Sequence, residues 1–145
     1  MLASAALDTG ALRAVLDGRH PQHATAQGYL RHLLEGGVPV YVSALSLAEV
    51  GAQHPIDRLP LLAHLRLLAF NHRDALAAAE LLRQQPGLAP LELLVLGQVV
   101  AHALGALLTP TAAALEAIVG TKPPFRVLSL EVPHAAAFGL TGSLF

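Results

Sequence analysis

Short apolar runs alternate along this chain with longer stretches in which leucine and alanine recur at helical spacing. Ala3–Leu7 reads as a first buried strand, and a short helix follows from Gly10 to about Leu16. Asp17-Gly18-Arg19-His20-Pro21 interrupts the pattern. Tyr29, Leu30, Leu33 and Leu34 fall on one helical face, and Gly36-Gly37 stops that helix. Val38–Val42 reads as a second strand, after which Ser43 or Ser46 caps a helix holding Glu49. Pro55 to Pro60 is a second break. Leu61–Phe70 is dense in leucine and is expected to be helical.

Asn71 with Asp74 three residues on suggests a capping box opening a helix over Arg73–Gln84. Pro86-Gly87 breaks the chain again, and a longer helix is expected from about Pro90 to Leu104, with Pro at its first turn. Ala106–Thr109 reads as a third strand. Ala112–Val119 reads as a short helix stopped by Gly120, and Phe125–Leu130 as a fourth strand. Little regular structure is expected from about residue 131 onward. Strands alternating with helices predict an α/β fold, with a small central parallel sheet of about four strands flanked by helices. No internal repeat or linker divides the sequence, so residues 1–145 are expected to form a single domain.

Composition changes this picture in three ways. The chain is 54% hydrophobic and only 13% charged, against a usual charged share of about a quarter. So much apolar surface predicts a covered patch, most simply a homodimer. The net charge of −1 gives no global attraction for nucleic acid, so any basic footprint has to be local. There are no cysteines, which excludes disulfides and thiolate metal sites. The most apolar stretch, Leu91–Leu108, contains Gln98 and His102 as well as Glu92, which argues against a membrane span. The opening residues carry no signal pattern, and a cytoplasmic location is expected.

Candidate chemistry begins with Leu7-Asp8-Thr9. An apolar run ending in Asp-Thr places a carboxylate at the end of a buried strand. Val-Ser-Ala-Leu-Ser-Leu-Ala-Glu-Val at Val42–Val50 leaves a second strand and starts a helix carrying Glu49. Ligands in open α/β folds bind outside the carboxyl ends of the strands, so Asp8 and Glu49 are expected to share a cleft. Asp8 also suits an N-cap.

Together with Ala-His-Ala-Leu at Ala101–Leu104, Ala-Leu-Leu-Thr at Ala106–Thr109 and the late strand Phe125–Leu130, these elements resemble the PIN domain. PIN domains are small α/β nuclease domains best known from the ribonuclease toxins of bacterial toxin–antitoxin pairs. The resemblance implies a Mg²⁺- or Mn²⁺-dependent endoribonuclease ancestry, with the metal held by clustered carboxylates. It makes Asp8 the first family acid and Glu49 the second, both metal ligands, with the Thr9 hydroxyl beside the first. It also implies a small antitoxin-like partner. Three positions depart from the family: Leu96 and Thr111 stand where acids are usual, and Gly10 follows Asp-Thr where Asn is common. Glu92 lies four residues before Leu96, one turn away on the same helix side, and is a third candidate acid; equally, it suits the helix dipole.

Thr9, Arg19, His20 and His23 are the candidates for RNA contact, the last three forming a small basic rim that would touch phosphates. A solvated loop is the plainer reading of that rim. His102 is expected to be a hydrogen-bonded core residue, Asp74 a cap, Glu80–Arg83 a surface pair, and Asp17 and Asp57 turn residues. With two of the usual four acids missing, the expected function is weak or absent RNA cleavage. The alternatives are a non-catalytic RNA- or protein-binding module and a dimeric interaction protein.

Overall fold

The structure, a computed structural model, describes residues 2–54, 63–84, 89–110, 112–113, 115 and 124–139. The described elements are β1 (Ala5–Leu7), α1 (Thr9–Leu16), α2 (His23–Glu35), β2 (Val40–Ser43), α3 (Ala44–Gly51), β3 (Arg66–Leu68), α4 (His72–Gln84), α5 (Pro90–Ala101), β4 (Ala106–Thr109), β5 (Arg126–Ser129) and α6 (His134–Ala137). The five strands form one parallel sheet in the order β3-β2-β1-β4-β5.

Alternation along the strands decides the two layers. Ala5, Leu7, Val40, Val42, Ala106, Leu108 and Leu128 point to one face, where they pack with residues of α1 and α2 such as Leu12, Val15, Tyr29 and Leu33. Ala6 and Leu107 point to the other, against Leu96 and Val99 of α5. Helices cover both faces, as a parallel sheet requires.

Several expected elements hold: the helix stop at Gly36-Gly37, the Ser43 cap, and β4 over Ala106–Thr109. The capping box is reciprocal, with Asn71 N–H donating to Asp74 Oδ2 (3.0 Å) and Asp74 N–H to Asn71 Oδ1 (3.1 Å).

Three expectations are corrected. Within Leu61–Phe70 the described part holds a strand, β3, and makes the sheet five-stranded. Leucine is a good helix former, but intrinsic propensity is a fraction of a kcal/mol per residue, and pairing of Tyr41 with Arg66 and Val42 with Leu67 along the edge of β2 overrides it. The stretch after residue 131 contains α6, which lies against α2 through Tyr29, His32, His134 and Phe138. Finally, α5 ends at Ala101, so His102 is its C-cap rather than a core residue, with Nε2 3.0 Å from buried Asp74 Oδ1. The breaks at Pro55–Pro60 and Pro86-Gly87, Asp57, Thr111 and most of the expected helix Ala112–Val119 lie outside the described residues.

Candidate functional site

Strand order locates the site before any side chain is considered. The chain steps from β1 to β2 to β3, then returns to β4 on the other side of β1 and continues to β5. The carboxyl ends of β1 and β4 therefore flank the topological switch point, where open α/β sheets form their crevice.

Asp8 leaves β1 at this point. Its backbone N–H donates to Leu108 O of β4 (3.1 Å), and its Oδ1 accepts from Ala11 N–H (2.7 Å), capping α1. The capping alternative is thus realised, and it does not remove Asp8 from the crevice. A cavity of about 160 Å³ opens here, lined by Asp8, Thr9, Gly10, Glu92, Thr109 and Pro110, with apolar walls of Val95, Leu96, Leu107 and Leu115. Glu92 reaches it from the first turn of α5. Burial pushes the Asp8 carboxyl from its ordinary 3.8 up to about 6. Hydrogen bonds from the Thr109 hydroxyl and the Ala11 N–H pull it down, and the nearby Glu92 charge adds to the rise.

Glu49 is exposed on α3 and is not among the residues lining this cavity. The link between α3 and the site runs instead through buried Ser46, whose Oγ lies 2.8 Å from Thr9 Oγ1. Leu96 is buried and forms part of the wall. Pro110 sits over Gly10: a Cβ at position 10 would lie 2.5 Å from Pro110 Cγ, so a side chain there would require the proline ring to move.

Four residues take roles here that the sequence did not assign to them. Thr109 supplies the hydroxyl on Asp8, Pro110 the lid over Gly10, Ser46 the tie to Thr9, and Gln22 a hydrogen bond to Pro110 O (3.0 Å). Only Thr109, a polar residue closing an apolar strand, carries a sequence signal. Of the basic candidates, Arg19 is exposed, while His20 and His23 each have Nδ1 engaged, His20 with Gln22 N–H (3.1 Å) and His23 with Ala14 O (2.8 Å).

Among the described residues no three His, Cys, Asp or Glu side chains come together in a way that would hold a metal. The donors facing the cavity are two carboxylates and threonine hydroxyls. Mg²⁺ commonly keeps several waters and binds through one or two carboxylates. Asp8 and Glu92 therefore fit a loosely held, hydrated divalent ion and do not form a cage.

The architecture matches solved structures over most of its length. VapBC2 from Rickettsia felis, solved bound to a DNA fragment from its promoter, superposes with a TM-score of 0.65 at 16% identity, covering 86% of this chain and 97% of that one. FitAcB from Neisseria gonorrhoeae gives 0.65 at 18% identity, covering 88% and 98%. VapC20 from Mycobacterium tuberculosis, a sarcin–ricin-loop-cleaving toxin, gives 0.59 at 16% identity, covering 83% and 100%. The chain has the PIN-domain fold. No protein-family model matches the sequence, and no curated protein matches it. Asp8 and Glu92 both line the cavity at this crevice. No helix among the described residues is long and apolar enough to cross a membrane.

Proposed function

We propose that this PIN-fold protein belongs to the lineage of metal-dependent endoribonucleases and binds RNA at the crevice, with weak or absent cleavage. The observation carrying this reading is that two carboxylates, Asp8 and Glu92, face a cavity whose remaining walls are largely apolar. Each further carboxylate within contact distance would add attraction for a dication of about 8 kcal/mol before desolvation, at an effective dielectric of about 20. A pair alone holds the ion orders of magnitude more weakly than a four-acid cluster. A Mg²⁺ or Mn²⁺ ion held by Asp8 and Glu92 would supply an activated water and charge neutralisation at phosphate. Glu49 lies on the helix that Ser46 ties to Thr9 and does not line this cavity.

The resemblance to VapBC and FitAcB complexes supports a small antitoxin-like protein as partner. The low charge of the chain supports a homodimer.

The test is cleavage of end-labelled RNA by stoichiometric protein with Mn²⁺ or Mg²⁺. The expected result is no metal-dependent product above that of Asp8→Asn. Robust cleavage that needs the metal and disappears in Asp8→Asn would overturn the reading and establish an efficient nuclease.

A further inference from the structure

We propose that the turn between α1 and α2 is the RNA-contacting lip of the acidic crevice, with Arg19 and His20 taking phosphates next to the one that enters the cavity, and Gln22 holding the lip in place. This rests on the RNA-binding reading above and adds to it the direction in which the strand leaves the site.

The turn is docked on the crevice by a defined contact. Gln22 Nε2 donates to the carbonyl of Pro110, the residue that follows β4 and lines the cavity beside Asp8. The backbone N–H of the same Gln22 donates to His20 Nδ1 (3.1 Å). His20 is therefore two hydrogen-bonded links from the cavity wall. With Nδ1 accepting, the neutral ring carries its proton on Nε2, which is left as the donor. The turn is tied through Asp17: its carboxylate Oδ1 accepts from Arg19 N–H (2.9 Å), and its backbone carbonyl accepts from His20 N–H (3.0 Å). The Arg19 side chain is exposed. His23 drops out of the lip, because its Nδ1 is bound to Ala14 O.

Electrostatics makes such a lip necessary. Asp8 and Glu92 repel a phosphate, and the chain has no net positive field to offset them. Phosphate contacts supply most sequence-independent affinity, and they must come from cations near the crevice. Arg19 is the cation, and His20 Nε2 the neutral donor, carried by the turn that the Gln22–Pro110 contact docks on the crevice. Few aromatic residues are available for base stacking, at 4% of the chain, which leaves phosphate contact as the main source of affinity.

The experiment is fluorescence anisotropy of a labelled single-stranded 12-mer RNA, in EDTA to prevent cleavage, across a KCl series. The double variant Arg19→Gln/His20→Gln is expected to bind about tenfold more weakly, with the log–log salt slope reduced by about one, for the single cation removed. Arg83→Gln removes an exposed cation on α4, on the opposite face of the sheet, and is expected to stay within about twofold of the parent. Gln22→Ala keeps every charge, so it should weaken binding severalfold without altering the salt slope or the melting temperature. Equal losses in the double variant and Arg83→Gln, or unchanged affinity in Gln22→Ala, would overturn the lip while leaving RNA binding intact. Absence of binding by the parent protein would overturn the RNA reading, and the lip with it.

Discussion

Asp8 does two jobs whose electrostatic requirements conflict. As an N-cap it needs only an acceptor oxygen on Ala11 N–H, which asparagine provides equally well. As a crevice carboxylate it must be ionised in a site where burial and Glu92 oppose ionisation, holding it at about 6. The sign of the pH effect follows. Between 3.8 and about 6 the folded protein binds more protons at this group than the unfolded chain, so stability falls as pH rises through that window. By pH 8 the loss is on the order of 2–3 kcal/mol. Asp8→Asn is therefore expected to raise the melting temperature at pH 8 by several degrees and to lose most of that advantage at pH 4. Scanning calorimetry at the two pH values checks this, and an equal shift at both would show that the group ionises freely.

A second conflict at the same scale lies at Ala103, a non-glycine residue with a positive φ of 49°. It follows the α5 cap in a Schellman arrangement, with Ala103 N–H donating to Val100 O and Leu104 N–H to Val99 O, both at 3.1 Å. The end of α2 has the same bond pattern, with Gly37 at φ 73° in the corresponding place. Ala103→Gly removes the steric penalty of the left-handed backbone and adds unfolded-chain entropy. A net gain of about 0.5–1 kcal/mol is expected, read from the urea midpoint.

At the scale of elements, α4 and α5 form a close hairpin over one sheet face, and its closeness depends on Gly97. A Cβ there would stand 2.8 Å from the Ala78 backbone N and Cα, which cannot give way as a side-chain tip would. Glycine to alanine inside a helix normally stabilises by about 0.5–1 kcal/mol. Here the sign should reverse, with a net loss of about 1–3 kcal/mol in urea unfolding; a gain would mean the two helices separate easily.

The same hairpin shows how far the sequence reaches. Asn71 and Asp74 announced their capping box because capping is local, set by residues three apart. What Asp74 does beyond that is non-local. Its Oδ2 also accepts from Gln98 Nε2 (3.2 Å), its Oδ1 faces His102, and Gln98 Nε2 lies 3.3 Å from both Leu68 O, at the end of β3, and Ala69 O just beyond it. No spacing in the chain encodes those partners. For the same reason β3 was read as helix: its strand state comes from the edge of β2, not from its own leucines. In the crevice, Asp8 was legible from its strand-end context. Glu92 was legible only as a rescue for Leu96, and the Gln22–Pro110 contact, 88 residues apart, was not legible at all.

At the scale of the whole molecule, the unusual quantity is the ratio of apolar to charged residues, 54% against 13%. The described residues leave large apolar side chains at the surface on both layers, with Leu67 on β3 58% exposed and Leu76 on α4 60% exposed. Leu67 extends an apolar groove formed with Val42, Leu47 and Leu65, beside β3, the edge strand of the sheet among the described residues. The described part of Leu61–Phe70, expected from its leucines to be a helix, thus offers a second copy a strand edge and its groove. A homodimer is expected in sedimentation at about 10 μM, and Leu67→Glu should shift it toward monomer. Because Leu67 is already more than half exposed, that change should cost the monomer fold little, and the circular dichroism spectrum should be unchanged. A parent protein that sediments as a monomer would place the apolar surplus in a contact with a different chain, and the crevice would then function in one copy at a time.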